Sequence, residues 1–272
     1  MFEFLKKFKA QREAANARAQ AFKEVVSALE SGHGNPLEGA LVLHLTQQKQ
    51  ETLVQFLLFF GNSDLWMLNK TSERLGDPAT TEASDGSSYL AVFSSQERAD
   101  AANREWKLTN HPSLISASEL VFGLAPHMGI VVNANHPHLQ WSFPPGLLAE
   151  LRMLFERGYE YEVGGIYSVW GRGAYQAIKL LSLDEGGVHL RMYANTWPER
   201  PVSIEPAALM LAGADAPSFS IGHMPVVRSH FLAMGPKLMT IERVLDEELE
   251  GYRMWQEAKG GYFGTPPPEV VG

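Results

Sequence analysis

Three histidines, His127, His136 and His138, fall near the end of one apolar run, with Asn133 and Asn135 between them. A His-x-His pair can turn two imidazoles to the same side of an extended chain, and a third His would complete a zinc-type ligand set. Pro137 disturbs that geometry, and no His-Glu-x-x-His helix accompanies it. Asn, Pro and His are also ordinary turn residues. The expectation is a turn with exposed imidazoles, no metal and no cofactor, and Asn133 and Asn135 stand as candidate binding residues. His223 follows Gly222 and is a candidate general base near Glu247, Glu248 and Glu250. A hydrogen-bonded structural His and a solvated acidic helix start are the plainer readings of the same residues.

Serine chemistry has little footing. Ser87, Ser88, Ser94 and Ser95 lie in or beside turns, and no G-x-S-x-G elbow is present. Gly171-Arg172-Gly173 lacks the third glycine of a dinucleotide fingerprint, and there is no P-loop. Tyr193, Trp197, Glu199 and Arg200 are candidate binding residues of another kind. Aromatic and Arg side chains anchor interfaces more often than Lys or Asp. They read equally well as a core plug (Trp197) beside a local Arg200–Glu199 pair. No catalytic residue is named.

Composition narrows the field. Acidic residues number 31 against 23 basic ones, a net charge of -8 in 272 residues, which argues against a dedicated nucleic-acid binder. Cysteine is absent, so disulfides, thiolate catalysis and cysteine metal sites are excluded. The densest apolar run, Leu53 to Phe60, is far shorter than the ~20 residues a spanning helix needs. Lys6, Lys7 and Lys9 interrupt any signal-peptide core, and a cytoplasmic protein is expected.

These residues must be positioned by a mixed fold, α/β or α+β. Four segments are expected: an N-terminal amphipathic helix over 1–31, an α/β layer domain over 35–157, a smaller α+β domain over 165–264 with a hairpin and a C-terminal helix, and a Pro-rich tail over 265–272. Leu5, Phe8, Arg12, Ala15, Ala19, Phe22, Val26 and Leu29 repeat with the 3,4 spacing of a seam helix. Such a helix can lie on its own domain, pair with a copy or dock a partner. Six basic and two acidic side chains in the first 23 residues, beside Phe2, Phe4 and Phe8, also suit an anionic membrane surface. Asn35-Pro36-Leu37-Glu38 reads as a capped helix start, with Glu38 able to reach back from the third position, and Ser94 with Glu97 as a capping box. Asp64–Asn69, Tyr89–Phe93 and Gly129–Val132 read as strands, and Thr71–Ser88 as a loop. Val188–Tyr193 alternates apolar and polar residues like a half-buried strand, joined by a Gly turn to Ala174–Leu183.

The order NPLEGAL, DLWMLN, YLAVFSSQERA, GIVVNAN and PPGLLAEL over about residues 35–157 resembles the SseB N-terminal domain, a bacterial family named for enhanced serine sensitivity. Asn133-Ala134-Asn135 stands where many relatives have an Asn-Pro turn. The resemblance implies a small α/β module without a catalytic set and with accessory or interaction roles. The C-terminal half is similar to uncharacterised bacterial proteins sharing an ERP loop and an EELEGYRMW helix. The leading expectation is therefore a non-catalytic interaction protein that binds an unknown protein or itself. The rivals are an enzyme with a site at an interdomain cleft, and a peripheral membrane protein held by its first helix.

Overall fold

A computed structural model describes residues 2–72, 77–82, 86–212 and 219–264, with residues 2–9, 11 and 12 described by backbone alone. The expected tail at 265–272 lies outside the described residues. The chain is a mixed α+β protein that divides into two compact units, Met1–Ala117 with Ala125–Ala149, and Ser118–Leu124 with Glu150–Gly272.

The first unit opens with α1 (Phe2–Glu30), whose run of Ala, Glu, Lys, Gln and Arg favours a helix along its whole length. α2 (Pro36–Gln47) starts with Asn35 as N-cap, its side chain accepting from the Leu37 amide, and Pro36 in the first turn. α3 (Gln50–Gly61) follows directly. The sheet runs β4-β1-β3-β5-β6, with β1 at Asp64–Asn69, β3 at Ser88–Phe93, β4 at His111–Ser116, β5 at Gly129–Val132 and β6 at Trp141–Phe143. The expected loop before β3 contains a short strand, β2 (Thr80–Glu82), paired with β3. Among the described strands of this sheet, only β3 and β5 run parallel, in register Ala91 to Val131. Alternation divides the sheet's residues between two faces. Leu68, Ala91, Phe93 and Val131 pack with Ala99 and Ala102 of α4 (Gln96–Glu105). On β6, Phe143 meets Phe60 and Phe56 of α3, with ring centroids 4.6 and 6.0 Å apart.

The second unit holds α5 (Ala117–Gly123) and α6 (Pro145–Gly158) for the greater part of each. Arg152 ties them, donating to the carbonyls of Val121 and Leu124 at 2.7 and 2.8 Å. Its sheet is antiparallel throughout, in the order β10-β9-β8-β7-β11. The strands are β7 (Gly165–Gly171), β8 (Ala174–Leu183), β9 (Val188–Trp197), β10 (Ile221–Val226) and β11 (Lys237–Ile241). One face carries the main apolar core, in which Tyr167, Ile178, Leu180 and Leu190 pack with Phe231 of α7 (Arg228–Ala233). The expected C-terminal helix begins as a tight turn at Asp246–Leu249 and continues as α8 (Glu250–Glu257).

Candidate functional site

In open sheets, ligand sites favour the carboxyl ends of parallel strands. Here β3 and β5 end side by side at Ser94 and Asn133, and both residues are buried. Asn133 sits in the left-handed region at φ 53°, a conformation Asn tolerates better than most residues. Its amide donates to the Val92 carbonyl at 2.8 Å. Its side-chain oxygen accepts from the Ser94 amide at 3.0 Å and lies 3.0 Å from the Ser94 hydroxyl, and its amide nitrogen reaches the Leu139 carbonyl at 3.4 Å. The Ser94 hydroxyl donates to Glu38 Oε1. Arg98 then closes on the same carboxylate, with Nε on Oε1 and Nη2 on Oε2 at 2.7 Å. Asn35 completes the ring, donating to the Ser94 carbonyl at 2.6 Å.

Two expectations shift accordingly. The cap of α4 is Ser95, accepting from the Arg98 amide at 3.4 Å, and not Ser94. Glu38 does not reach back along its own helix, because its carboxylate is held by Ser94 and Arg98, 56 and 60 residues away. Both carboxylate oxygens are occupied by donors, so the arrangement braces two strand ends against α2 and α4. Next to it, Asn135 Oδ1 and His136 Nδ1 are buried without a hydrogen-bond partner among the described residues. Burial, and then the charge of Arg98, hold the His136 imidazole below its ordinary range. His136 and His138 stand with ring centroids 6.3 Å apart, and His127 is exposed. Among the described residues, no group of three or more His, Cys, Asp or Glu is placed to hold a metal ion.

The other candidates lie in the second unit and point different ways. Tyr193 is buried among Ile166, Ala177 and Ile204, with Trp197 half-buried at the edge of that cluster. Burial pushes the Tyr193 phenol above its ordinary value. Arg200 turns inward, where Nη1 donates to the Ser168 carbonyl at 3.0 Å, its hydroxyl at 2.9 Å and the Gly235 carbonyl at 3.2 Å. Its guanidinium also lies 4.6 Å from the Tyr175 ring centroid. Glu199 is exposed. Of the suspected acid–base residues, Glu248 is buried against Lys179 and Arg191 at 2.8 Å each. His223 bonds to His189, a residue the sequence marked only as a position on an alternating strand.

The seam of α1 is only partly used. Phe22 and Leu29 are half-buried with Val42 of α2 and Leu139, but the buried residues, Ala21 and Val25, lie off the expected seam. Ala15, Ala19 and Val26 remain exposed. A shallow apolar groove of about 530 Å³ runs beside them, with Ala19, Phe22, Val26, Val42 and Thr46 among its lining. The suggested membrane anchors Phe2, Phe4 and Phe8 have side chains outside the described residues. Among the described residues, no helix is long and apolar enough to cross a membrane.

Residues 37–149 match the family model described as the SseB protein N-terminal domain, the family expected for this part of the chain. The matched segment contains Glu38, Ser94, Arg98 and Asn133. Searches of curated proteins and of solved structures returned no match.

Proposed function

We propose, from the premise that residues 37–149 match the SseB protein N-terminal domain, that this is a bacterial cytoplasmic accessory protein that works by binding. Its binding element is the outer face of α1, and its first partner is a second copy of the chain. The observation that carries this reading is Val26, 44% exposed, lining an apolar groove with Ala19 and Phe22 on a helix whose adjoining side is already docked through Val25 and Leu29. Helices that present an apolar stripe tend to bury it. A twofold pairing would cover each Val26 with the same surface of the other copy, so every side chain counts twice.

Fully burying a Val side chain contributes roughly 1.5–3 kcal/mol, and Val26 has a little under half of that still to gain, so losing two from a symmetric interface weakens association roughly 10- to 100-fold. Sedimentation equilibrium of the full chain, from micromolar to near-millimolar concentration, is expected to show a dimer. Val26→Glu is expected to return it to a monomer with an unchanged circular dichroism spectrum. A wild-type chain that stays monomeric at the highest concentration, or a variant that dimerises as well as wild type, removes the reading.

A further inference from the structure

The second unit contains a line of titratable groups that binding through α1 does not use. On β9, Val188, Leu190 and Met192 enter the apolar core, so His189, Arg191 and Tyr193 fall on the other face. His189 is fully buried there. Its Nε2 stands 2.8 Å from Asp184 Oδ2, and its Nδ1 stands 3.0 Å from Nε2 of His223 on β10. Asp184 also accepts from the amides of Gly186 and Gly187, at 2.9 and 3.0 Å, and from the Tyr262 hydroxyl. Aromatic rings enclose the buried imidazole. Tyr252 and Trp255 of α8 have centroids 4.5 and 4.6 Å from it, and Tyr262 follows at 5.6 Å. His223 lies parallel to it at 5.2 Å.

α8 leans on these rings, for none of its residues is buried. It seats so closely that a Cβ on Gly251 would lie 2.5 Å from His223 Cβ. Beyond the helix, the chain returns to β10, where the Phe263 amide donates to the Pro225 carbonyl at 2.9 Å and its carbonyl accepts from Val227 at 3.0 Å. Gly187 makes room for that return, since a Cβ there would meet the Val226 carbonyl at 2.2 Å and Tyr262 at 2.8 Å.

We propose that Asp184, His189 and His223, clasped by Tyr252, Trp255 and Tyr262, form an acid-sensitive latch that holds residues 250–264 on the sheet at neutral pH and frees them when both imidazoles are charged. With both rings neutral, His189 donates from Nε2 to Asp184 and accepts at Nδ1 from His223 Nε2–H. His223 Nδ1 is then the remaining proton acceptor. With both rings charged, Nδ1–H of one faces Nε2–H of the other, and their hydrogen bond becomes a repulsion. Asp184 offsets only one of the two charges. Burial would raise the Asp184 carboxyl, but bonds from Tyr262, His189 and the two glycine amides outweigh it and hold the group below its usual range. Burial, and then Asp184, push the Tyr262 phenol up, so it remains a donor. Among the described residues, Arg191 of β9 bonds to Glu248 and to the Gly222 carbonyl beside His223, at 2.8 and 3.4 Å, and Arg228 of α7 donates from Nη2 to the Asp184 carbonyl at 2.7 Å. Tyr252 faces it from α8.

The direction follows from proton linkage. Burial, and then the neighbouring His189, lower His223 to about 4 in the closed state. Released, it returns to its ordinary value of about 6.5. Between those values the open state binds more protons, so closure is fully stable above the window and weakens as pH falls through it. One extra proton in the open state makes the opening constant rise by up to about tenfold per pH unit.

Hydrogen exchange of the full chain between pH 7.5 and 4.5, corrected for intrinsic rates, tests this. Amides of 250–264 are expected to lose protection as pH falls, while β7 and β8 keep theirs. His223→Gln is expected to flatten that dependence. The midpoint in the wild-type chain must also coincide with the His223 imidazole titration followed by NMR, which decides the matter even if the variant is already open at neutral pH. Unchanged protection of 250–264, opening of β7 and β8 in step with it, an unaltered transition in His223→Gln in a closed variant, or a midpoint apart from the His223 titration would each overturn the latch.

Discussion

Each unit buries a carboxylate against fixed cations, and the second unit adds a half-buried one closed by histidine. In the first, Glu38 is gripped by Arg98, whose guanidinium is charged at every accessible pH, and by the neutral Ser94 hydroxyl, with Asn133 bonded in turn to Ser94. In the second, Glu248 is held by Lys179 and Arg191, while Asp184 a few residues along the sheet is held by a histidine pair and a tyrosine. Closure by Arg makes a static brace, because the guanidinium keeps its charge. Closure by His makes a contact whose sign depends on protons. The donor differs, and so does the depth, for the Asp184 side chain is 28% exposed against 9% for Glu38.

The largest effect is expected at Lys179. This ammonium is 1% exposed and donates to Glu248 at 2.8 Å, Glu242 at 3.0 Å and the Arg243 carbonyl at 3.1 Å. Burial alone would lower its pKa, but the bonds from Glu248 and Glu242 outweigh that and hold it above its ordinary value. Lys179→Met leaves Glu248 with Arg191 and the Leu245 amide only. Breaking one half of a buried pair costs about 3–5 kcal/mol, whereas removing both halves is often near neutral. In urea denaturation, Lys179→Met should lower the midpoint by the equivalent of about 3 kcal/mol, and Lys179→Met with Glu248→Leu should recover most of it. A single variant costing under about 1 kcal/mol would mean that the second unit does not depend on this pair.

In the first unit, Asn133 separates backbone strain from hydrogen bonding. Asn133→Ala keeps a β-carbon at φ 53° without the polar side chain that makes that conformation tolerable, and it strands the Ser94 amide, a combined loss of about 2–3 kcal/mol. Asn133→Gly strands the same amide but accepts the backbone, so it should be about 1 kcal/mol less damaging. If Gly and Ala are equal, the left-handed turn is not what selects Asn here.

What the sequence revealed depended on how local each signal was. Asp64–Asn69 and Gly129–Val132 were legible as strands because their apolar runs are bounded by polar or turn residues. The long helix and the Asn35 cap were legible for the same reason, each resting on neighbours within four residues. β2 was not, since Thr80–Glu82 is polar and half-exposed, and only its pairing with β3 makes it a strand. β11 is a mostly exposed edge whose pattern carries little periodicity. Ser94 and Glu97 have capping-box spacing, yet Ser94 is claimed by Glu38 from 56 residues away, and the cap moves on by one. His189 was visible as the polar partner in an alternating strand. Its burial comes from Tyr252 and Trp255, more than sixty positions later, which no local pattern encodes.

The smallest expected effect sharpens the account of the brace. Asn35 does two things at once: its Oδ1 caps α2 through the Leu37 amide at 2.9 Å, and its Nδ2 tethers the Ser94 carbonyl at 2.6 Å. Asn35→Ala loses both, and a lost cap costs about 1 kcal/mol. Asn35→Ser keeps a capping oxygen but is too short, and lacks the amide, to hold Ser94. If the brace draws on the tether, Asn35→Ser should lose about 0.5 kcal/mol on its own, roughly half the loss of Asn35→Ala. Serine as stable as asparagine would show that α2 needs only its cap, and that Glu38 and Arg98 hold the strand ends without help from Asn35.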